Sequence, residues 1–441
     1  MNIPRIMISA ASSGSGKTLI TCGILQALIN RGLSVSSFKC GPDYIDPMFH
    51  SRVIGTVSRN VDAFFSDEDT MIELFCDAAK DTDISVIEGV MGFYDGSNME
   101  NSSASSCDVS MKLRSPVILL IDSRGAARSA LATLKGFLEF EENRVAGVIF
   151  NRMSENTFSK LKDQVSRMGV VPLGCVPKID VDLSSRHLGL VLPNEIKNLR
   201  EKLNSLACTL EMTIDIDKLL EISGYADDLP YTEVRYEKET CVRIGLAKDN
   251  AFCFIYDDNI SLLKKLGAEI VEFSPLKDTG VPNVDMLILP GGYPELHAEV
   301  LESNISMRNS IREHIKGGMP CIAECGGFMY LLESIEDGHG TFREMCGVIH
   351  GKSWNTKALR RFGYITLEKD GIQIKGHEFH YWDSDSCGND WTAKRKNGHT
   401  YSCIHDDGIL IAGYPHMYYP SNIEFVRMIL RRAKRYRESL S

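Results

Sequence analysis

Apolar residues in the first half of the chain fall into short unbroken runs separated by longer stretches of helical periodicity. RIMIS (5–9), ISVIEG (84–89), PVILLID (116–122) and RVAGVIF (144–150) are the runs. GKTLITCGILQALINRG (16–32) has the pattern of a core-facing helix, with Gly32 as its stop. Apolar runs bounded by polar residues and alternating with helices predict strands of a parallel sheet covered on both faces, an α/β fold. The second half repeats the style, with candidate strands VRIGLA (242–247), AEIVEF (268–273), VDMLILPGG (284–292) and MPCIAEC (319–325). Between the halves, YADDLPYTEVRYEKET (225–240) is charged and aperiodic. It reads as a linker between a domain at 1–224 and a second at 241–441. Neither an internal repeat nor a low-complexity tract interrupts this scheme.

Composition narrows the function classes. The 441 residues are 43% hydrophobic and 24% charged, as in an ordinary globular protein. A net charge of −10 argues against nucleic-acid partners and anionic membrane surfaces. An anion would have to bind at a local basic or backbone-amide site. The first residues lack an apolar run of signal length, and no window approaches the roughly 18 apolar residues of a membrane span. Thirteen cysteines, without a C-x-x-C pair, fit reduced thiols, and the expected location is the cytoplasm.

The first chemical motif is ASSGSGKT (11–18), which fits G-x-x-x-x-G-K-[ST] except that Ala11 replaces the first glycine. A strand precedes it and a helix follows. In that setting Ser13, Gly14, Ser15 and Gly16 offer backbone N–H groups to phosphates at a helix N-terminus. Lys17 adds a charge near the terminal phosphates, and Thr18 can ligate Mg²⁺. Glu88 ends an apolar strand, and FKCGPDYIDPMFH (38–50) offers Asp43 and Asp46 as further oxygen ligands. Turn chemistry around Pro42 and Pro47 accounts for these two aspartates equally well. Partition-type ATPases carry an additional early lysine where this chain has Ser12, which weighs against a cargo-positioning ATPase.

The second motif is AECGGFMYL (323–331). Cys325 follows an apolar strand and precedes two glycines, the small neighbours that a strained nucleophile elbow needs. The N-terminus of the following helix is expected to favour the thiolate. His416, in AGYPHMYYPSN (412–422), lies roughly 90 residues on and is the candidate base. Gly291 and Gly292 in LPGGYPE, with Gly326, are candidates for an oxyanion site. Cys22, Cys175 and Cys321 read as buried hydrophobes.

Together FKCGPDYIDPMFH, EGVMGFYDG, SSRHLGL, NAFCFIYDDN, FSPLKD, PGGYPELHAE, AECGGFMYL and KGHEFHY resemble the signatures of the cobyrinate a,c-diamide synthases and their hydrogenobyrinate and nickel-sirohydrochlorin relatives. The stretches occur in that family's order over nearly the whole chain. The resemblance implies an N-terminal P-loop domain like dethiobiotin synthetase and a C-terminal class I glutamine amidotransferase-like domain. It implies glutamine hydrolysis at Cys325 with His416 as base, and passage of ammonia to the first domain. There ATP would phosphorylate the c- and then the a-acetate of an anionic corrinoid, and ammonia would displace each phosphate. By position, Lys17, Thr18 and Glu88 match the nucleotide–Mg²⁺ residues. Asp43, Tyr44 and Asp46 match the substrate loop, with Asp46 as a catalytic carboxylate. Asn151 lies where related enzymes read adenine. A homodimer is one assembly open to such a chain.

This chain departs from the pattern at Ala11, in NVDAFF (60–65), and in NSSASSCDVSMKL (101–113), where the family's helix start is more regular. Tyr418 stands two residues after His416, where many class I glutaminases have a glutamate, so the histidine is expected to lack an orienting carboxylate. Candidates for a basic tetrapyrrole site are Arg186, His187, Lys352, Arg360 and Arg361, all equally explained as surface charge. The titratable residues of HEFHY (377–381) are expected to support the fold or the domain interface. The alternative to a ligase is a P-loop ATPase carrying a degenerate glutaminase fold.

Overall fold

Strand β1 (Arg5–Ala10) is buried along its whole length at the centre of a seven-stranded sheet. The computed structural model describes residues 1–179, 184–186, 189–190 and 198–440. They divide into two compact units, Met1–Val234 and Arg235–Ser441. In the first, β2 (Val35–Cys40), β3 (Val57–Val61), β4 (Ile84–Glu88), β5 (Val117–Asp122), β6 (Val145–Asn151) and β7 (Val171–Val176) complete the sheet in the order β3-β2-β4-β1-β5-β6-β7. Every pairing is parallel. Successive side chains face opposite layers, as the two-residue strand period requires. Ile6 and Ile8 enter one core with Ile24, Leu25, Leu206 and Leu210, while Met7 enters the other with Phe38, Phe75 and Ile87.

The helices of this unit are α1 (Lys17–Asn30), α2 (Ile45–Phe49), α3 (Glu68–Ala79), α4 (Ser106–Lys112), α5 (Ser129–Phe140), α6 (Glu155–Ser166), α7 (Leu199–Thr213) and α8 (Ile216–Gly224). The expected helix 16–32 is α1, and Gly32 follows it at φ +81°. The irregular stretch 101–113 contains α4, capped by Ser105 accepting the Asp108 N–H. Strand β2 escaped the apolar pattern because its sequence, VSSFKC, is half polar although all six residues are buried. Its hydroxyls find partners inside the sheet: Ser36 with Ser85 at 2.7 Å and Ser37 with Thr56 at 2.8 Å.

The aperiodic stretch 225–240 contains the boundary between the units. Its first part belongs to the N-terminal unit. Leu229 is buried there, and its carbonyl accepts the N-terminal ammonium at 2.6 Å. Arg5, fully buried, donates to the carbonyls of Ile3 and Leu113 at 2.7 Å and also to those of Arg114 and Asp227. Burial lowers its pKa to about 10, which leaves the guanidinium charged at neutral pH.

The second unit centres on a six-stranded sheet. Strands Arg243–Ala247, Glu269–Phe273, Met286–Leu289, Cys321–Glu324 and Leu410–Gly413 are parallel, and His405–Asp406 closes one edge antiparallel. A five-stranded antiparallel sheet contains Arg361–Lys369, Ile372–His380, Trp391–Arg395, Thr400–Cys403 and the two-residue strand His416–Met417. A smaller four-stranded sheet includes Lys352–Asn355 and Trp382–Ser384. Among the described residues no helix is long and apolar enough to cross a membrane.

Replacing Arg5 with Met would strip the side-chain donors from four carbonyls. The N-terminal unit should lose about 3 kcal/mol or more. The three tryptophans, Trp354, Trp382 and Trp391, all lie in the other unit. In denaturant titrations the circular-dichroism transition should therefore begin earlier while the tryptophan fluorescence transition stays in place.

Candidate active sites

Parallel strands deliver their carboxyl ends to one edge of a sheet, and β2, β4 and β1 are neighbours in the N-terminal unit. The loops after them converge. After β1, Gly14 and Gly16 adopt φ +77° and +93°, turning the backbone into the first turn of α1. Ala11 does not have a positive φ, so this turn does not need glycine there. Ser13 and Gly14 are exposed and Ser15 is buried. Lys17 donates to the carbonyls of Ser12 and Met91, closing the loop over itself. Burial, then the charge of Lys39, lowers its pKa to about 8. Asn151, at the end of β6, donates to the Ser15 carbonyl at 2.8 Å. A Cβ at residue 16 would lie 2.5 Å from the Asn151 amide nitrogen.

Glu88 and Asp46 meet around a residue that the sequence reading did not single out. Lys39, at the end of β2, is 2.6 Å from both Glu88 Oε1 and Asp46 Oδ2, and all three side chains are buried. Thr18 donates to Glu88 Oε1 at 2.6 Å. Burial opposes the Lys39 charge, but Asp46, Glu88 and Asp43 outweigh it and hold its pKa well above the ordinary value. Burial raises Glu88 against the pull of Lys39, and burial with Asp46 raises Asp43. Asp43 fixes the turn, with Oδ1 accepting the N–H groups of Ile45 and Asp46 at 2.8 and 3.1 Å. Tyr44 is buried beside them. His50 Nε2 lies 3.8 Å from Glu88 Oε2, with the imidazole pKa lowered by burial to about 4.

Among the described residues no group of three or more His, Cys, Asp or Glu forms a metal cage. The donors present still fit a hard cation that completes its shell with phosphate and water. Thr18 and Glu88 supply paired oxygens, and Glu88 Oε2 and Asp46 Oδ1 are buried without a hydrogen-bond partner among the described residues.

In the C-terminal unit, Cys325 joins the strand Cys321–Glu324 to the short helix Gly326–Leu331. Its backbone sits at φ +47°, ψ −104°, a conformation costly for any residue with a Cβ. The elbow depends on glycine: a Cβ at residue 327 would lie 1.9 Å from the Leu289 carbonyl oxygen, and one at 326 would lie 3.0 Å from the Gly292 nitrogen. Gly291 packs against His416, where a Cβ would approach the ring carbon Cε1 to 2.4 Å. Thus Gly291, Gly292, Gly326, Cys325 and His416 converge at neighbouring strand ends. The Glu324–Gly413 pairing brings the elbow strand beside the one that leads to His416. His416 itself pairs with His377 across the antiparallel sheet.

One expectation is corrected here. The thiolate is not favoured at rest. Burial, reinforced by Glu295, pushes the Cys325 thiol far up, and burial with His377 and His380 pushes His416 well down. The resting pair is a neutral thiol and a neutral imidazole. Residue 418 supplies no carboxylate to the histidine. Tyr418 donates its hydroxyl to Asp258 at 2.9 Å, and the carboxylate near His416 Nδ1 is Glu324 Oε2, at 3.8 Å. A glutamate preceding the cysteine carries no spacing signal toward a histidine so far along the chain. Only the strand pairing reveals it.

Cys22, Cys175 and Cys321 are buried, as expected of apolar thiols. In HEFHY, Glu378 is held by Arg361 at 3.3 Å and by Tyr401, and His380 stacks on Tyr414 with ring centroids 4.0 Å apart. Of the candidate basic residues, Arg360 pairs with Asp383 at 2.6 Å and Arg361 with Glu378. Lys352 lies over the Phe342 ring. The Arg186 side chain and His187 lie outside the described residues.

A P-loop nucleotide-binding domain followed by a glutamine amidotransferase domain is the class these two units define. Residues 6–191 match the family described as CobQ/CobB/MinD/ParA nucleotide binding domain. Residues 243–422 match the family described as CobB/CobQ-like glutamine amidotransferase domain. A cobyrinate a,c-diamide synthase of Listeria innocua is 44% identical over 392 residues, 86% of each chain. Those of Picrophilus torridus and Salmonella typhimurium are 40% and 39% identical, covering 86% of this chain and 89% and 86% of their own. The chain belongs to the cobyrinate a,c-diamide synthase family, and is an ATP-dependent carbon–nitrogen ligase with glutamine as nitrogen donor. One solved glutamine amidotransferase overlaps 43% of this chain and 98% of its own at 17% identity and TM-score 0.30, too slight a likeness to add to this.

Removing Lys39 leaves two buried carboxylates facing each other. Lys39→Met should cost about 3–5 kcal/mol in the N-terminal unit, as for other broken buried pairs. The loss should grow as pH rises from 5 to 8. Without the ammonium, the burial that raises Glu88 goes unopposed in the fold while the residue ionises freely in the unfolded chain, so rising pH favours unfolding. Denaturant midpoints followed by circular dichroism at several pH values measure this.

Proposed function

We propose that the protein amidates the a- and c-acetate carboxylates of cobyrinate to give cobyrinate a,c-diamide, with ammonia taken from glutamine. The observation that carries this reading is the presence in one chain of a strained cysteine elbow with its histidine and a P-loop with buried carboxylates. The 39–44% identity to cobyrinate a,c-diamide synthases supports the choice of tetrapyrrole.

In the glutaminase half, Cys325 Sγ attacks the side-chain amide carbon of glutamine as its proton passes to His416. The amide oxygen becomes an oxyanion beside the backbone N–H groups of Gly292 and Gly326, with Gly291 giving the close approach to the imidazole. His416 returns the proton to the departing nitrogen, the C–N bond breaks, and ammonia leaves a thioester on Cys325. Water, deprotonated by His416, hydrolyses the thioester to glutamate and restores the thiol.

In the synthetase half, the P-loop from Ser13 to Gly16 cradles the ATP phosphates, Lys17 lies along their charge, and Asn151 faces the base. A substrate carboxylate oxygen attacks the γ-phosphorus and ADP departs, leaving an acyl phosphate. Ammonia then attacks the acyl carbon and inorganic phosphate leaves. Thr18 and Glu88, with Asp43 alongside, would hold a Mg²⁺ ion, which would supply neutralising charge to the phosphates. Asp43, Tyr44 and Asp46 form the loop facing the substrate, where Asp46 orients the acceptor carboxylate or takes a proton from the attacking ammonia. The assembly we favour is a cytoplasmic enzyme, with a homodimer as the form to look for in solution.

The deciding assay incubates the protein with ATP, Mg²⁺ and glutamine against cobyrinate, hydrogenobyrinate or nickel-sirohydrochlorin, and weighs the products. Two sequential mass changes of one amidation each on cobyrinate are expected; turnover of another tetrapyrrole alone overturns the substrate. Cys325→Ser should abolish glutamine-dependent turnover and leave ammonia-dependent amidation largely intact. Loss of both in a folded variant sinks the two-site reading. Asp46→Asn should bind ATP nearly normally and keep glutaminase chemistry, yet slow amidation by about 10²–10⁴-fold and let the mono-amide accumulate. Nucleotide titration and the mono- to di-amide ratio on one preparation check this.

A further inference from the structure

His416 is deeply buried and flanked by other imidazoles, an environment that suppresses its basicity. His377 stacks on it with ring centroids 5.0 Å apart, and His380 acts on it from the same strand. Burial and these two neighbours all work against imidazolium. A histidine that must accept the Cys325 proton in such a place needs a source of negative charge. Glu378 acts in that direction, but its carboxylate is already bound by Arg361 and Tyr401, with His380 Nε2 at 3.8 Å. Asp258 receives the Tyr418 hydroxyl.

Glu324 meets the requirement. Its side chain is 7% exposed, and its two oxygens address adjacent residues: Oε2 lies 3.8 Å from His416 Nδ1, and Oε1 accepts the Met417 N–H at 3.2 Å. The peptide pairing that sets this distance, Glu324 with Gly413, belongs to the sheet that also sets the elbow. We infer that Glu324, the residue immediately before the nucleophile, is the positioning carboxylate of His416, in place of the glutamate that many class I glutaminases carry two residues beyond their histidine. This rests on the glutaminase reading of Cys325 and His416. With Nδ1 turned to Glu324, Nε2 is the nitrogen that exchanges the proton with the thiol. The carboxylate stabilises the imidazolium while the thiolate attacks, and releases that hold as the proton goes to ammonia.

The surroundings of Glu324 tune it for this work. Burial raises its pKa to about 8, partly offset by the Met417 N–H, and its charge in turn raises the Tyr419 phenol and the Cys325 thiol. The carboxyl is thus neutral below about pH 8 and anionic above, and the anionic form is the one that strengthens His416 as a base.

The test compares full-length wild type, C325S, E324Q and E324D. Glutamine hydrolysis is followed from pH 6 to 9.5, ammonia-dependent amidation serves as the control, and thermal melting is recorded. E324Q keeps an oxygen for the Met417 N–H but cannot become anionic. The expected result is KM for glutamine within about twofold of wild type and kcat lower by on the order of 10²-fold, with partial rescue in E324D. The rise of kcat with a midpoint near 8 should vanish in E324Q. Its melting temperature at pH 8 should equal or exceed that of wild type: a carboxyl with a raised folded pKa loses stability as pH rises, and glutamine does not. An unchanged kcat and pH profile in E324Q overturns the inference. Should E324Q fail to fold, E324D decides: lowered kcat at unchanged KM supports the role, and wild-type kcat removes it. C325S that still hydrolyses glutamine overturns the underlying reading instead, whatever E324Q shows.

Discussion

Lys39 holds Asp46 and Glu88 at 2.6 Å each inside the N-terminal unit, and the loops of that site hang from this contact. Three charges in a dry site are costly unless each satisfies another. One ammonium between two carboxylates, with the Thr18 hydroxyl on Glu88, meets that condition and ties the end of β2 to the end of β4 and to α1. The Asp43 turn leads from β2 into α2, where Asp46 completes the triangle. Beside a loop shaped for phosphate, Lys39 pulls Glu88 back toward its ionised form against the burial that raises it. Without that cation, burial would hold a proton on Glu88 and remove its use as an oxygen ligand.

The C-terminal unit solves a related problem with the opposite resting state. Its thiol and imidazole are buried and uncharged, so separating charge there is left to the moment of reaction. The strain at Cys325, of about 1–3 kcal/mol, is maintained because Gly326 and Gly327 let the elbow press against Gly292 and the Leu289 carbonyl. A neutral pair in a dry elbow is poorly reactive by itself. Its activation depends on groups that stabilise the imidazolium once substrate arrives, which gives the acidic neighbours of His416 their importance.

Placement of the histidine shows how two sheets share one site. The strand Leu410–Gly413 belongs to the parallel sheet beside the elbow, and three residues later His416 pairs with the antiparallel strand Ile372–His380. The chain leaves one sheet and enters the other at the residues that do the chemistry. HEFHY is therefore part of the walls around the imidazole: His377 stacks on it and Glu378 acts on it electrostatically.

By itself the sequence determined the alternation of apolar strands and helices, the P-loop, the cysteine between small neighbours and the distant histidine. These are local signals, because strand burial, phosphate nests and elbows impose their residue types over a few consecutive positions. Half-polar β2 was illegible because its serines are satisfied by the hydroxyls of Ser85 and Thr56, which the local sequence does not show. Lys39 looked like any strand-end lysine until Asp46 and Glu88 were brought to it, and Glu324 looked like a charged residue before a turn until the Gly413 pairing set it beside His416. Tertiary structure alone decided the charge states as well: the cysteine expected as a favoured thiolate is held neutral by burial. Position in sequence specifies which groups exist, whereas desolvation and the distance to a partner charge set what each does, and both arise only when separate strands pack into one dry site.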